Sequence, residues 1–414
     1  MREQILSNLD NPGQLEKLYR ADKPTFKQAF STLFPEHKDN VAIRFWHERL
    51  NFSNDEISWG SSKELLFVIV ASFIAGLIAK LPSFFSINEE FFYPRNIGFV
   101  VFPMLTAYFA RKNSLSIGKI ALVTATTLAG LLFINFLPNN QNSDTLTLSC
   151  IHLLLFLWAI LGFAFVGDNR SDADRRMGYL RYNGDLIVMT TLILIAGAIL
   201  TGITVNLFLL IGLQIQKFYF EYFGIFGLAA APIVGTYLTQ TNPQLVGKVS
   251  PVIARIFSPL VLVMLVIYLA AIVYSGKDPY NDRDFLLIFN LLLLGVMAII
   301  FFSVAETAKS GKANVEVWVL FLLSAITIAV NGIAISAILF RISEWGITPN
   351  RAAVLGSNAL ILINLLLVAG QLFRVIAKQT NVAAVGKVIA FYLPVYVIWT
   401  MIVTFLFPLI FNYK

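Results

Sequence analysis

From Lys63 onward one pattern repeats along the chain, a long apolar run followed by a short polar interval. Eleven runs are long enough to span a bilayer: roughly 64–81, 96–110, 117–136, 146–166, 185–210, 218–239, 258–274, 285–304, 316–340, 351–373 and 387–411. A helix crosses the hydrocarbon in ~20 residues, and ~17 suffice, so each run predicts one transmembrane helix. The second, around Gly98 to Ala110, is the shortest, and Pro138 and Pro394 mark irregular points. Val249 to Pro259 reads as a short interfacial helix bounded by Pro251 and Pro259. The expected fold is therefore all-α, a polytopic transmembrane bundle of about 11 spans over residues 61–414.

Residues 1–60 follow a different pattern. Asn11-Pro12 and Lys23-Pro24 predict helix starts, with proline in the first turn and Asn11 or Asp22 as caps. Phe26, Phe30, Leu33 and Phe34 fall at helical spacing, and after Pro35 so do Ala42, Phe45, Trp46 and Leu50. They predict short amphipathic helices forming a small soluble N-terminal domain. Such helices pack on one another, on the membrane surface or on the cytoplasmic ends of the spans. His47, between Trp46 and Glu48, reads as a surface histidine.

Composition agrees with a chain mostly dissolved in lipid. Charged residues make up 13%, against ~25% in soluble domains, and mean hydropathy is +0.73. One cysteine, Cys150, and three histidines, His37, His47 and His152, exclude a disulfide framework and a Cys/His zinc cluster. No apolar signal-peptide core precedes the polar N-terminal segment, so the first span is expected to direct insertion.

The net charge of +7 is explained by placement. With the N-terminus in the cytoplasm, the inside loops carry 14 Lys and Arg and the outside segments 8, beside nine in the stretch ending at Lys63. That asymmetry predicts an N-in, C-out orientation. No acyl-transfer elbow, phosphate-binding loop or metalloprotease motif is present, so no cofactor is expected and an enzymatic reaction is the less favoured reading. Nor is there a basic aromatic stripe for nucleic acid. No inverted pair of halves of the transporter kind shows itself.

Three features carry candidate chemistry. Ser324, Thr327 and Asn331 lie on the ninth predicted span; Ser357, Asn364 and Gln371 lie on the tenth, seven apart, with Asn350 one step back. That spacing drifts only ~20° per step, so the polar groups share a face that must look at protein or water. They serve as interhelical contacts or as the wall of a polar pathway. The turn from Arg341 to Arg351 joins these spans, with Gly346 to end one helix, Thr348 to cap the next and Pro349 in its first turn. Arg341, Arg351 and the cap at Thr348 form a candidate anion site, unless both arginines snorkel or pair with Glu344 and helix-end carbonyls. The segment from Gly167 to Asp185, with Arg170, Asp172, Asp174, Arg175, Arg176 and Arg181, reads as a cytoplasmic charged loop. It is a solvated loop, a site for anionic lipids or a docking site for a protein partner. The acidic spacing there does not match a calcium loop, so no metal is expected. Ionisable residues deep in the spans are scarce, with His152 and Glu221 about a turn and a half inside theirs.

Leu180-Arg-Tyr-Asn-Gly-Asp-Leu-Ile-Val, Ile199-Leu-Thr-Gly-Ile-Thr and Arg341-Ile-Ser-Glu-Trp-Gly-Ile-Thr-Pro-Asn-Arg351 resemble an uncharacterised bacterial family of polytopic inner-membrane proteins. This is the domain of unknown function four-one-five-three, and the resemblance covers roughly residues 60–410. It implies an α-helical bundle in a bacterial inner membrane and brings no substrate or catalytic residue. Three functions stay open: a permease for a small or lipidic solute using spans nine and ten, an envelope scaffold or sensor, and an enzyme acting on lipid-linked anions. The expected partners are the bilayer, anionic lipids and a protein bound at 167–185 or at the N-terminal domain.

Overall fold

The computed structural model describes the chain apart from Lys38, 52–59, Gln141, 168–171, 211–213, Lys248, 250–257, Met264, Tyr268, 271–282 and 311–313. Among the described residues the regular elements are all helical. They fall into two compact units, Met1–Ser58 and Trp59–Lys414.

The first unit holds α1 (Arg2–Leu6), α2 (Pro12–Ala21), α3 (Lys23–Leu33) and α4 (Val41–Asn51). Both expected caps form. Asn11 accepts from the Gln14 N–H, and Asp22 accepts from the N–H and hydroxyl of Thr25. The core is Ile5, Leu15, Phe26, Phe30, Leu33, Ile43 and Trp46. On α4 the buried face differs from the expected one. Ile43 and Trp46 point inward, while Phe45 is 62% exposed. Residues 45 and 46 sit ~100° apart on a helix, so only one can join the core, and the indole takes the place among the α3 rings. His47 stacks on the Phe34 ring.

The second unit is built from long apolar helices. They are α5 (Ser62–Phe85), α6 (Glu89–Lys112), α7 (Ile117–Phe136), α8 (Asp144–Val166), α9 (Ala173–Leu210), α10 (Gln216–Thr241), α11 (Arg283–Ser310), α12 (Asn314–Trp345), α13 (Pro349–Ile376) and α14 (Val382–Ile410). These ten coincide with ten of the eleven predicted spans. The seventh, 258–274, is helical at its described residues, 258–263, 265–267 and 269–270, while the interfacial helix at 249–259 lies largely outside the described residues. Eight of the ten are both long and apolar enough to cross a membrane. Helix α6 is also long enough, ~36 Å, but Pro94, Arg95 and Asn96 dilute its apolar character.

Two cores meet at α9. One gathers α5, α6, α8 and α10 around Tyr179 and Tyr182 of α9. The other gathers α11, α12, α13 and α14 around Met177 and Leu180. Rings fit against glycines where helices cross closely: Phe226 on Gly76, Phe302 on Gly184 and Trp399 on Gly356, each filling the space a Cβ would need. Beyond Ile187, α9 leaves this centre, and Ile187, Leu192, Ile195, Ile199, Leu200 and Ile203 are exposed. Such a continuous apolar surface is stable only against lipid. The chain is an integral, multi-pass membrane protein.

Candidate functional site

The hairpin of α12 and α13 forms as the turn chemistry demands. Gly346 takes a positive φ of 75° after the last residue of α12, a conformation glycine adopts without strain. The Thr348 side chain then accepts from the Arg351 N–H, and Pro349 opens α13. Arg341 and Arg351 do come together: both guanidinium carbons lie 5.6 Å from the Trp345 ring centroid. Their chemistry is already in use, however. Arg351 Nη1 donates to the carbonyls of Trp345 and Gly346, at 3.0 and 2.7 Å, and so caps the end of α12. Arg341 is buried on the same indole.

The expected polar stripe is rearranged by one residue. Ser324 and Thr327 are buried but donate to the carbonyls of Leu320 and Leu323 in their own helix, so they need no partner. On α13 the buried face runs through Asn358, Ile361, Leu365, Val368 and Leu372, in alternating steps of three and four. Asn358, absent from the expected stripe, heads this face, and Asn364 belongs to it. Ser357 sits at its edge and accepts from Trp399 Nε1 at 2.9 Å, while Gln371 is half-buried.

The amides on this face tie four helices together. Asn331 of α12 donates to the Asn358 carbonyl at 3.0 Å, and Asn358 donates to Asn290 of α11 at 2.8 Å. Asn364 does not bond to α12. It donates to the Tyr396 hydroxyl of α14 at 3.0 Å, and Tyr396 in turn donates to the Met297 sulfur of α11. Two acceptors are left over. Asn331 Oδ1 and Asn364 Oδ1 are buried, and among the described residues no group donates to either.

The segment read as a charged loop is helical from Ala173 onward, and Arg170 lies outside the described residues. Asp172 caps α9, accepting from the N–H groups of Asp174 and Arg175, and pairs with Arg175. Asp174 is exposed in the first turn of α9, where a carboxylate favours the helix dipole. The arginines turn inward to backbone oxygens: Arg175 to Val166, Arg176 to Ala390 and Arg181 to Ala305. Arg181 also pairs with the buried carboxylate of Glu306 at 3.3 Å. The Ala390 carbonyl is available because Pro394, four residues on, has no N–H to donate.

Two buried cations were counted at the sequence level only as loop charges. Lys80 is 1% exposed, 3.5 Å from Glu221 and 3.7 Å from the Tyr222 ring, at a π-helical turn of α10. Arg95 is 3% exposed near the start of α6. For Lys80 the signal was present: it follows Gly76 by four on a face rich in Ala71, Ala75 and Ala79. Beside Arg95, Asn96 and Asn135 exchange two amide hydrogen bonds at 2.8 and 2.9 Å, joining α6 to α7.

Comparison with family models, with curated proteins and with solved structures gives no match. The functional reading therefore rests on geometry.

Proposed function

We propose that this membrane protein is a permease for a small solute, and that α11 to α14 hold its binding step. The observation that carries this reading is the pair of buried, undonated oxygens, Asn331 Oδ1 and Asn364 Oδ1. A buried acceptor without a donor costs ~1–3 kcal/mol, and native interiors rarely keep one. What each oxygen lacks is positive charge or a donor hydrogen. The solute is accordingly a small cation or a molecule presenting N–H or O–H groups. Our reading puts the N-terminus in the cytoplasm, following the distribution of Lys and Arg, and takes the bacterial inner membrane from the family resemblance alone.

Thermal unfolding of the purified chain in detergent, across a panel of sodium, potassium, ammonium, choline and small amines and polyols, tests it. At least one small cation or donor is expected to raise Tm, and Asn331→Leu and Asn364→Leu are each expected to abolish that rise. Without solute, Asn364→Leu should leave stability unchanged or higher, since an unmet acceptor disappears. Plain loss of stability in both variants, with no solute shifting the wild type, reduces these amides to interhelical contacts.

A further inference from the structure

A cavity of about 380 Å³ lies where α6 and α8 begin, far in sequence from the amides of α11 to α14. Its walls combine Phe91, Pro94, Ile97, Ile151 and Leu154 with Arg95, Asn139, Thr147 and Cys150. Ile97 and Ile151 are about half exposed on spanning helices, so its mouth faces acyl chains. Arg95 is the anomaly. Its Nη2 is shared among the carbonyls of Leu137 and Pro138 and Asn139 Oδ1, all long at 3.3–3.4 Å. Its ring partner is Phe91, 4.3 Å from the guanidinium carbon. Its buried Nε has no acceptor. No carboxylate among the described residues pairs with it, although a buried guanidinium without a counter-charge is costly.

We propose that this cavity binds the singly charged anionic group of an amphiphile, a carboxylate or phosphodiester carried on an acyl chain. The headgroup meets Arg95, with Asn139 and Thr147 as neutral polar neighbours, and the first methylenes lie along Ile97, Ile151 and Leu154. The planar guanidinium fork suits an oxyanion of either kind. Glu90, exposed at the rim, selects against groups of higher charge. Position supports the assignment, because Arg95 stands a turn and a half inside α6, level with the end of α7 and the start of α8. That is the depth at which lipid headgroups give way to chains.

The protein carries its own reporter, since Cys150 is the single cysteine of the chain and lines the cavity. Maleimide labelling of Cys150 in the full-length protein in neutral detergent is followed with oleate, phosphatidylglycerol, phosphatidylcholine, acetate or inorganic phosphate added. Oleate and phosphatidylglycerol are expected to slow labelling about tenfold, the ratio one charge-assisted hydrogen bond supplies. Phosphatidylcholine, acetate and phosphate are expected to leave it unchanged. Arg95→Gln should label at any rate but lose the difference between phosphatidylglycerol and phosphatidylcholine, and Arg95→Lys should keep part of it. Equal protection by phosphatidylcholine would show that only the chain binds, and equal protection by acetate or phosphate that only the anion does. Either result, or no protection by any addition, overturns the proposal. The wild-type arms decide this even if Arg95→Gln does not fold.

Discussion

The ends of the helices and the space between α11 and α14 treat polar groups in opposite ways. A helix end leaves up to four carbonyls without an intrahelical donor, and each needs one from a side chain or from water. Here arginine supplies it repeatedly: Arg95 at the end of α7, Arg175 at the end of α8 and Arg351 at the end of α12. Arg176 does the same inside α14, where Pro394 has opened the backbone. Guanidinium brings five donors and no acceptor, so it suits a surplus of carbonyls. Between α11 and α14 the polar groups are amides, which bring acceptors of their own, and two of these stay open. At the ends of α8 and α12 and inside α14 the arginines thus mark structural needs that are met, Arg95 with its open Nε excepted. The neutral amides mark one that folding leaves unmet.

The comparison breaks most sharply at Arg176. Arg176→Met strands the Ala390 carbonyl, and stability should fall by about 1–3 kcal/mol. In a Pro394→Ala background, a backbone N–H at position 394 reclaims that carbonyl, and the same arginine change should cost less than half as much. Urea or thermal unfolding in detergent of the four proteins gives the coupling. Equal costs in both backgrounds would mean that Arg176 acts by charge or packing and not as a replacement donor.

A smaller effect separates paired amides from open ones. Asn96 and Asn135 satisfy each other, so Asn96→Leu or Asn135→Leu alone strands its partner. Each should cost about 1–2 kcal/mol, and the double substitution should recover about 0.6 kcal/mol or more of their sum. Additive losses in unfolding experiments would show that the pair is not a unit. It would also remove the contrast with Asn364.

Much of this architecture is legible in the residues. Apolar run length locates the helices, because in lipid the backbone has few other choices. The turn at Gly346, Thr348 and Pro349 is likewise readable, since each residue has one local reason to be there. The candidate site is harder, for a geometric reason. Ser357, Asn364 and Gln371 are the polar residues that attract attention, yet the buried face of α13 is defined by Ile361, Leu365, Val368 and Leu372. Extending those apolar steps backward reaches Asn358, one residue from Ser357. What a side chain bonds to lies on other helices, and no local pattern states it: Tyr396 for Asn364, Asn290 for Asn358, Glu221 for Lys80. The arginines of α9 misled similarly, because a cluster of charge reads as solvated until the neighbouring helix ends are placed around it.

The same capping device in water sets the lower limit of the comparison. Asp22 caps α3 in the N-terminal unit, and its hydrogen bonds from the Thr25 hydroxyl and N–H hold its carboxyl below the usual carboxylate value. A depressed folded value means that the ionised cap favours folding above the unfolded value of about 3.9. The contribution is lost as pH falls through the lower, folded value. Asp22 is exposed, so water competes for both bonds and the effect should be the smallest of the three. Amide exchange across α3 in the full chain, corrected for intrinsic rates, should show slightly greater protection in wild type than in Asp22→Asn near neutral pH. As the carboxyl protonates below about pH 4, the two should converge, because asparagine caps without titrating. A difference that persists unchanged into acid would assign the protection to packing of α3. Helix ends in this protein would then be governed by their caps only where lipid excludes water.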